Sequence, residues 1–493
     1  MGIQFKQAIA NDGRVEYIQT PARYRLTAEI LLKKNGYAGV QLGVRGQRDG
    51  GYGLLVSHGD HSVHFMEIKR GGAVMLDRGL RYFSFDLDAW YPIRAEYDGR
   101  VARLWFDHNP LDEDPWPKYE FELELKPGIG LDAGRDVAQF RNVRVEVLED
   151  RPDEESGFTN PVMVGADPDI LLHKGVYYLY NRVPNDPNSR EDAYLYNGSE
   201  QAKLEEAGDI NAIFRVSSSV DLVHWSPYRP VFFRDEMLAG AFCMSPNVFE
   251  KDGWFYLLFA AGRFRGEENF HVHYAVSRSP EGPFTMRTAQ PLHSDCEEIG
   301  GMPFVDEDGT CYITYVRFDR GNHIWLQRLD VEGGTITPDD STLTRVLSPE
   351  ADYEIDEYGR IVEGGVIIPH KGLYYMIYAD GHYLGHYGQS YAVAETVYGP
   401  YMRHAFNPIL HHHFRADGTG DGIVVYSADR QAMYLGYHRH QSLDAVEPRM
   451  TCLDRMKFVP NPKGGPDILT VYGPTTTPQP LPFSHQNKRR SST

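Results

Sequence analysis

Apolar and polar residues alternate in short runs over the first 150 positions, in AGVQLGVRG, HSVHFMEI, VARLWF and FRNVRVEVLE, with Gly, Asp and Asn between them. A period of two places successive side chains on opposite faces of a half-buried strand. Many such strands separated by turn residues predict a β-sandwich over residues 1–150. The polar stretch RPDEESG (151–157) reads as a linker.

A different pattern follows. A polar turn containing glycine leads into an aromatic strand in HKGVYYLY (173–180), KDGWFYLLF (251–259), DEDGTCYITY (306–315) and HKGLYYMIY (370–378). ADRQAMYLGY (428–437) is a degenerate fifth copy. Further strands follow most copies, as in AIFRVSSSVDLVHW and QSYAVAETVYGPY. Each unit is therefore a small antiparallel sheet, and five of them around an axis make a five-bladed β-propeller over 158–460. An array of sandwiches would need about 100 residues per repeat, more than the turns here allow. The all-β expectation is thus a sandwich followed by a propeller. A C-terminal extension (461–493) ends in TTTPQPLPFSHQNKRRSST, whose Pro, Ser, Thr and charge predict poor order in its last part.

Composition narrows the partners. The net charge of −19 repels nucleic-acid phosphates and anionic lipid, so nucleic acid and membrane are disfavoured and a neutral substrate is compatible. MGIQFKQAIANDGRV lacks the apolar stretch of a signal peptide, which predicts a cytoplasmic chain or a secreted one whose signal has been removed. The four cysteines form no CxxC pair and suggest neither zinc nor a disulfide framework. Nothing in the sequence sets an oligomeric state.

In a propeller the innermost strand of each blade lines the channel, and here it should precede each turn-plus-aromatic repeat. Those strands carry Asp167 and Asp169 in NPVMVGADPDI, Asn247 in AFCMSPNVFE, Glu298 in CEEIGGMPFVDEDG, Glu363 in GRIVEGGVIIPH and Asp421 in ADGTGDGIVVYS. Acids and amides flanked by apolar residues at one register are costly unless they line a polar cavity. Regular alternation would put Asp167 and Asp169 on one side. Two opposed carboxyls are the apparatus for hydrolysing a glycosidic bond, one protonated and one ionised. Glu363, in an apolar strand, suits the acid; Asp167, in a polar turn, suits the base.

These motifs resemble those of glycoside hydrolase family 43, the five-bladed propeller glycosidases. GADPDI is similar to the first-blade motif that carries the base, at Asp167, and IVEGGVIIPHKGLYYMIYADG to the fourth-blade acid motif, at Glu363. SSSVDLVHW, YVRFDRGNHIWLQRLD, GTGDGIVV and LGYHRH extend the likeness over about 158–460. Residues 24–150 resemble concanavalin-like jelly rolls. The family usually has a third carboxylate four residues before the third-blade Phe; counting back from Phe304 gives Gly300, and Glu298 is the expected substitute. Asp421 stands where the family often has His near a calcium-associated water site. It is therefore a candidate metal ligand for a structural Ca²⁺ in the channel, or else a plain polar residue. Asp169, Asn247, Arg317 and His438 are the candidate substrate-binding residues, with a salt bridge as the plain reading of Arg317. The resemblance implies an inverting, exo-acting enzyme of α-L-arabinofuranosidase or β-xylosidase type. It requires no cofactor and acts on an oligo- or polysaccharide. The alternatives are a β-galactofuranosidase, a retaining β-fructosidase-type furanosidase and a catalytically inactive carbohydrate-binding propeller.

Overall fold

The computed structural model describes the chain apart from residues 1–2, 5–15, 45–49, 60–61, 70–71, 77–79, 82–85, 107–118, 149–156, 183–210, 235, 239–240, 263–268, 406, 462 and 483–493. Most of the expected linker and the last part of the tail lie outside the described residues. No helix among those described is long and apolar enough to cross a membrane.

The chain divides into two compact units. One holds the described residues up to Thr159 together with Ala405–Arg415 and Met456–Pro480. It is a sandwich. One sheet orders the strands Ile3–Gln4, Ala138–Val147, Tyr24–Leu32, Trp90–Tyr97, Val101–Phe106 and Tyr119–Glu122. The other orders Glu16–Ile18, Ile129–Asp132, Tyr37–Leu42, Gly51–Ser57, Ser62–Lys69 and Gly72–Met75. Alternation along Tyr24–Leu32 buries Tyr24, Leu26, Ala28 and Ile30, which pack with Val40, Leu54 and Phe65 of the opposite sheet. The sandwich also recruits residues the sequence pattern assigned elsewhere. Phe414 stacks on Phe65 and packs tilted against Phe121, and Gln479 exchanges backbone hydrogen bonds with Phe158 at 2.7 and 2.9 Å. The boundary at 150 and the separate extension from 461 are therefore corrected: both miss segments that complete the sandwich core from afar.

The second unit comprises the described residues of Asn160–His404 and Ala416–Arg455, with Leu481 and Pro482. Five sheets have innermost strands Asp169–His173, Phe242–Lys251, Glu298–Val305, Val362–His370 and Gly420–Tyr426. These inner strands pack on one another in cyclic order, the fifth against the first, so the sheets are five blades of a closed ring. The aromatic strands expected from the repeats come second in each blade. Their Tyr177, Tyr180, Tyr256, Tyr315, Tyr375, Tyr378, Tyr434 and Tyr437 are fully buried. Large flat side chains fill the wedge between twisted sheets, and each buried ring contributes roughly 2–3 kcal/mol of apolar transfer.

Ring closure is made by the strand Met163–Val164, which precedes the first blade yet forms the outer edge of the fifth. It pairs antiparallel with Met450–Val459, Met163 opposite Thr451.

Candidate active site

Four of the five inner strands are interrupted once; the first, Asp169–His173, pairs without a break. Register shifts fall between Met244 and Asn247, Ile299 and Met302, Glu363 and Val366, and Gly420 and Ile423. At each interruption one residue adopts a left-handed backbone: Ser245 (φ 53°), Gly300 (63°), Gly364 (60°) and Asp421 (53°). Asp167 (φ 49°) does the same just before the first blade's inner strand. All five line one cavity of about 340 Å³.

That cavity has two sides. Blades 2 and 3 supply Phe242, Met244, Phe270, Ile299, Val316 and Phe318. Asp167, Asn322, Glu363, Tyr387, Asp421 and Arg449 form the polar side. Asp167 accepts from Arg449 Nη1 at 3.0 Å, and its own N–H lies 3.3 Å from His438 Nδ1. Arg449 is held in turn by Glu447, 2.9 Å from its Nε. Glu363 accepts from Asn322 Nδ2 on one oxygen and from the Tyr387 hydroxyl on the other at 2.9 Å. Burial pushes the Glu363 carboxyl above its usual range and the Asp167 charge adds to this, while the Tyr387 and Asn322 donors oppose it. Asp421 is pushed well up by burial, and further by the charges of Asp167 and Glu363. Burial, aided by the Arg449 charge, holds His438 well below its ordinary value, hence neutral.

Glycine is required beside Tyr387. A Cβ at Gly420 would lie 1.8 Å from the Tyr387 ring, so the GTG run of the fifth blade makes room for the tyrosine that holds Glu363. The buried Gln389 amide, with its oxygen turned toward the bulge, accepts from the N–H groups of Asp421 (2.7 Å) and Gly422 (2.9 Å).

The structure brings together Asp167, Glu363 and Asp421, with His438 buried behind Asp167. Four other expectations are corrected. Glu298 is fully buried beside the cavity-lining Ile299 and faces away from the cavity, paired with Arg317 Nε at 2.7 Å and His293 Nδ1 at 3.1 Å. Arg317 spends its remaining donors on Asp295, at 3.2 and 3.3 Å, and does not line the cavity. Asn247 is buried and donates to Ser245 O at 3.1 Å within its own bulge. Asp169 accepts from Val248 N–H of the neighbouring blade at 2.7 Å, and burial raises its carboxyl to about 7. For Glu298 and Asp169 one cause serves: a left-handed residue turns the strand over, so positions two apart no longer share a face. Asn322, Tyr387 and Arg449 were not foreseen; they come from a turn, a loop and a strand entry that no inner-strand pattern marks.

The calcium expectation meets a poor donor set. One ligand atom each from Asp167, Asp421 and His438 lie within 4.8 Å of one another. However, the Arg449 guanidinium sits among them, 3.0 Å from Asp167 Oδ1 and 3.4 Å from His438 Nε2. Calcium takes six to eight oxygen ligands. Two carboxyls, an imidazole and a cation do not fit it.

A propeller whose axial cavity gathers carboxyls from separate blades, one of them pushed toward its protonated form, defines the class of propeller glycosidases. A family model described as glycosyl hydrolases family 43 matches residues 158–462, and the chain belongs to that family. It is a glycosidase, with a carbohydrate substrate. Over 308 residues it is 26% identical to the β-D-galactofuranosidase xynD of Aspergillus niger, covering 61% of this chain and 82% of that protein. A β-xylosidase of Xylanibacter ruminicola is 29% identical over 177 residues, 31% of this chain and 53% of the relative. The crystal structure of a thermostable family-43 glycoside hydrolase is 28% identical with a TM-score of 0.54, covering 66% of this chain and 99% of that one.

Proposed function

We propose that the chain is an inverting, exo-acting glycosidase that releases terminal furanosyl or pentosyl residues, of the α-L-arabinofuranosidase or β-xylosidase type. Asp167 is the general base and Glu363 the general acid. The observation that carries this is their placement on different blades around one cavity, with unlike surroundings. Burial favours the proton on Glu363, while Asp167 meets a guanidinium at 3.0 Å. The proton of Glu363 passes to the leaving oxygen as the glycosidic C–O bond breaks and its electron pair goes to that oxygen. A water on the opposite face gives its proton to Asp167 as its oxygen bonds to the anomeric carbon. The cavity volume is near the low end for ligand pockets, which favours one terminal sugar.

A β-galactofuranosidase is the second reading, favoured by the likeness to a relative of that name over most of its length. A panel of aryl furanosides and pyranosides separates the two, and NMR of the first-formed anomer tests inversion. Retention of configuration would overturn the base assignment in favour of a nucleophilic carboxylate. Absence of turnover on every panel member would overturn the substrate class.

A further inference from the structure

The five left-handed positions ring the channel, and two of them carry aspartate. Glycine adopts this backbone without strain, as it does at 300 and 364, so a carboxyl at 421 is held there against a backbone preference. Blade 5 lies between blades 4 and 1 in the ring. Asp421 therefore stands between the strand that carries Glu363 and the segment that carries Asp167. Its Oδ1 would be 3.1 Å from a Cβ at Gly364, so that glycine leaves the space the carboxyl fills. Gln389 fixes its backbone from below. The groups facing it are Asp167, Glu363, Arg449, Tyr387 and His438. Arg449 pairs with Asp167 and Glu447.

We propose that Asp421 is a positioning residue for the general base, a neutral carboxylic acid that donates its O–H to the Asp167 carboxylate. The inference rests on the reading of Asp167 as the base. Three carboxylates around one guanidinium would repel, and a shared hydrogen bond removes one charge while fixing the oxygen that must face water. The environment agrees: one carboxyl oxygen of Asp421 and one of Asp167 lie within 4.8 Å of each other, and burial and the charges of Asp167 and Glu363 all favour the protonated acid. The carboxyl beside the base thus comes from blade 5, while blade 3 has Gly300 at the equivalent register and brings Glu297 to the cavity wall ahead of its inner strand.

Two variants suit the left-handed backbone and separate the donor from the charge. Asp421→Asn keeps an N–H donor, and Asp421→Gly removes it without strain. The Asn variant is expected to hold kcat within about threefold of wild type. Loss of a hydrogen bond to a charged group corresponds to roughly 10- to 100-fold, and the Gly variant should lose that much in kcat with little change in KM. Its acidic limb of the pH–rate profile should move to higher pH. A second readout needs no activity: the infrared difference between wild type and Asp421→Asn near neutral pH should show a protonated-carboxyl C=O band in wild type. An active wild type without that band, or with an Asn variant as impaired as the Gly variant, overturns this proposal alone. A wild type that shows the band but retains configuration overturns the base assignment and this proposal with it.

Discussion

Tyr387→Phe tests the acid directly. The hydroxyl sits 2.9 Å from Glu363 Oε2 and donates to it, and the substitution removes that donor while the ring can stay in place beside Gly420 and 5.6 Å from His438. A hydrogen bond to an ionised group contributes about 1.5–3 kcal/mol, which at about 1.4 kcal/mol per pH unit equals roughly 1–2 units. The sign follows from which form benefits. Tyr387 stabilises ionised Glu363 and so opposes the upward push of burial. Without it the carboxyl keeps its proton to higher pH. The basic limb of kcat/KM on an aryl glycoside should therefore move up by about 1–2 units, with the acidic limb unmoved. A basic limb that stays in place, or moves to lower pH, would refute the reasoning that Glu363 is the acid and that this hydroxyl tunes it.

Gly420→Ala should act through the same tyrosine: its Cβ would strike the ring at 1.8 Å and displace the hydroxyl from Glu363, so the basic limb of kcat/KM should move up as in Tyr387→Phe, with a fall in Tm as well. Glu298→Ala removes the buried carboxylate on Arg317 Nε, leaving only the exposed Asp295 to pair with that guanidinium, and should cost up to about 3–5 kcal/mol in denaturant unfolding. The pH–rate profile of the folded fraction should be unchanged, and a shifted limb would return Glu298 to the chemistry. Asp169 titrates at about 7 when folded, against 3.8 as its ordinary value, so the folded state holds a proton the unfolded chain has lost. Its contribution is fully present below the ordinary value and is lost as pH rises to about 7, a few kcal/mol in order of magnitude. Asp169→Asn should accordingly match wild type in urea unfolding at acid pH and exceed it at pH above about 8.

The blades were legible because their aromatic strands recur behind one kind of turn, and the physics that buries Tyr256 also buries Tyr375. Asp167, Glu363 and Asp421 were legible for a related reason: each stands at or beside the same register point of its blade. Face, however, was not. Counting by two placed Glu298 with the vacant Gly300 site and Asp169 with Asp167. The left-handed turn that makes the cavity also defeats that count, since nothing in EIGG or ADPD states where the strand flips. Arg449 was beyond reach for another reason. Its partner Asp167 is 282 positions away in the chain, and PRM carries no pattern that points there.

The closing strand has a consequence for how the enzyme matures. Gly165 N–H donates to Arg449 O at 3.0 Å, and Thr451 Oγ1 donates to Gly165 O at 2.9 Å, so the clasp that joins the two ends of the ring is laced directly beside Asp167. Blades 2, 3 and 4 can each form around local hairpins, but Asp167 meets Arg449 only when Met163–Val164 docks on Met450–Val459. On the proposed role of Asp167 as base, catalytic competence is tied to a long-range step of assembly, the closing of the ring. On that role, a nascent or nicked chain lacking the clasp is expected to turn over no glycoside however well its blades are formed, which would make turnover an internal report that the ring is shut.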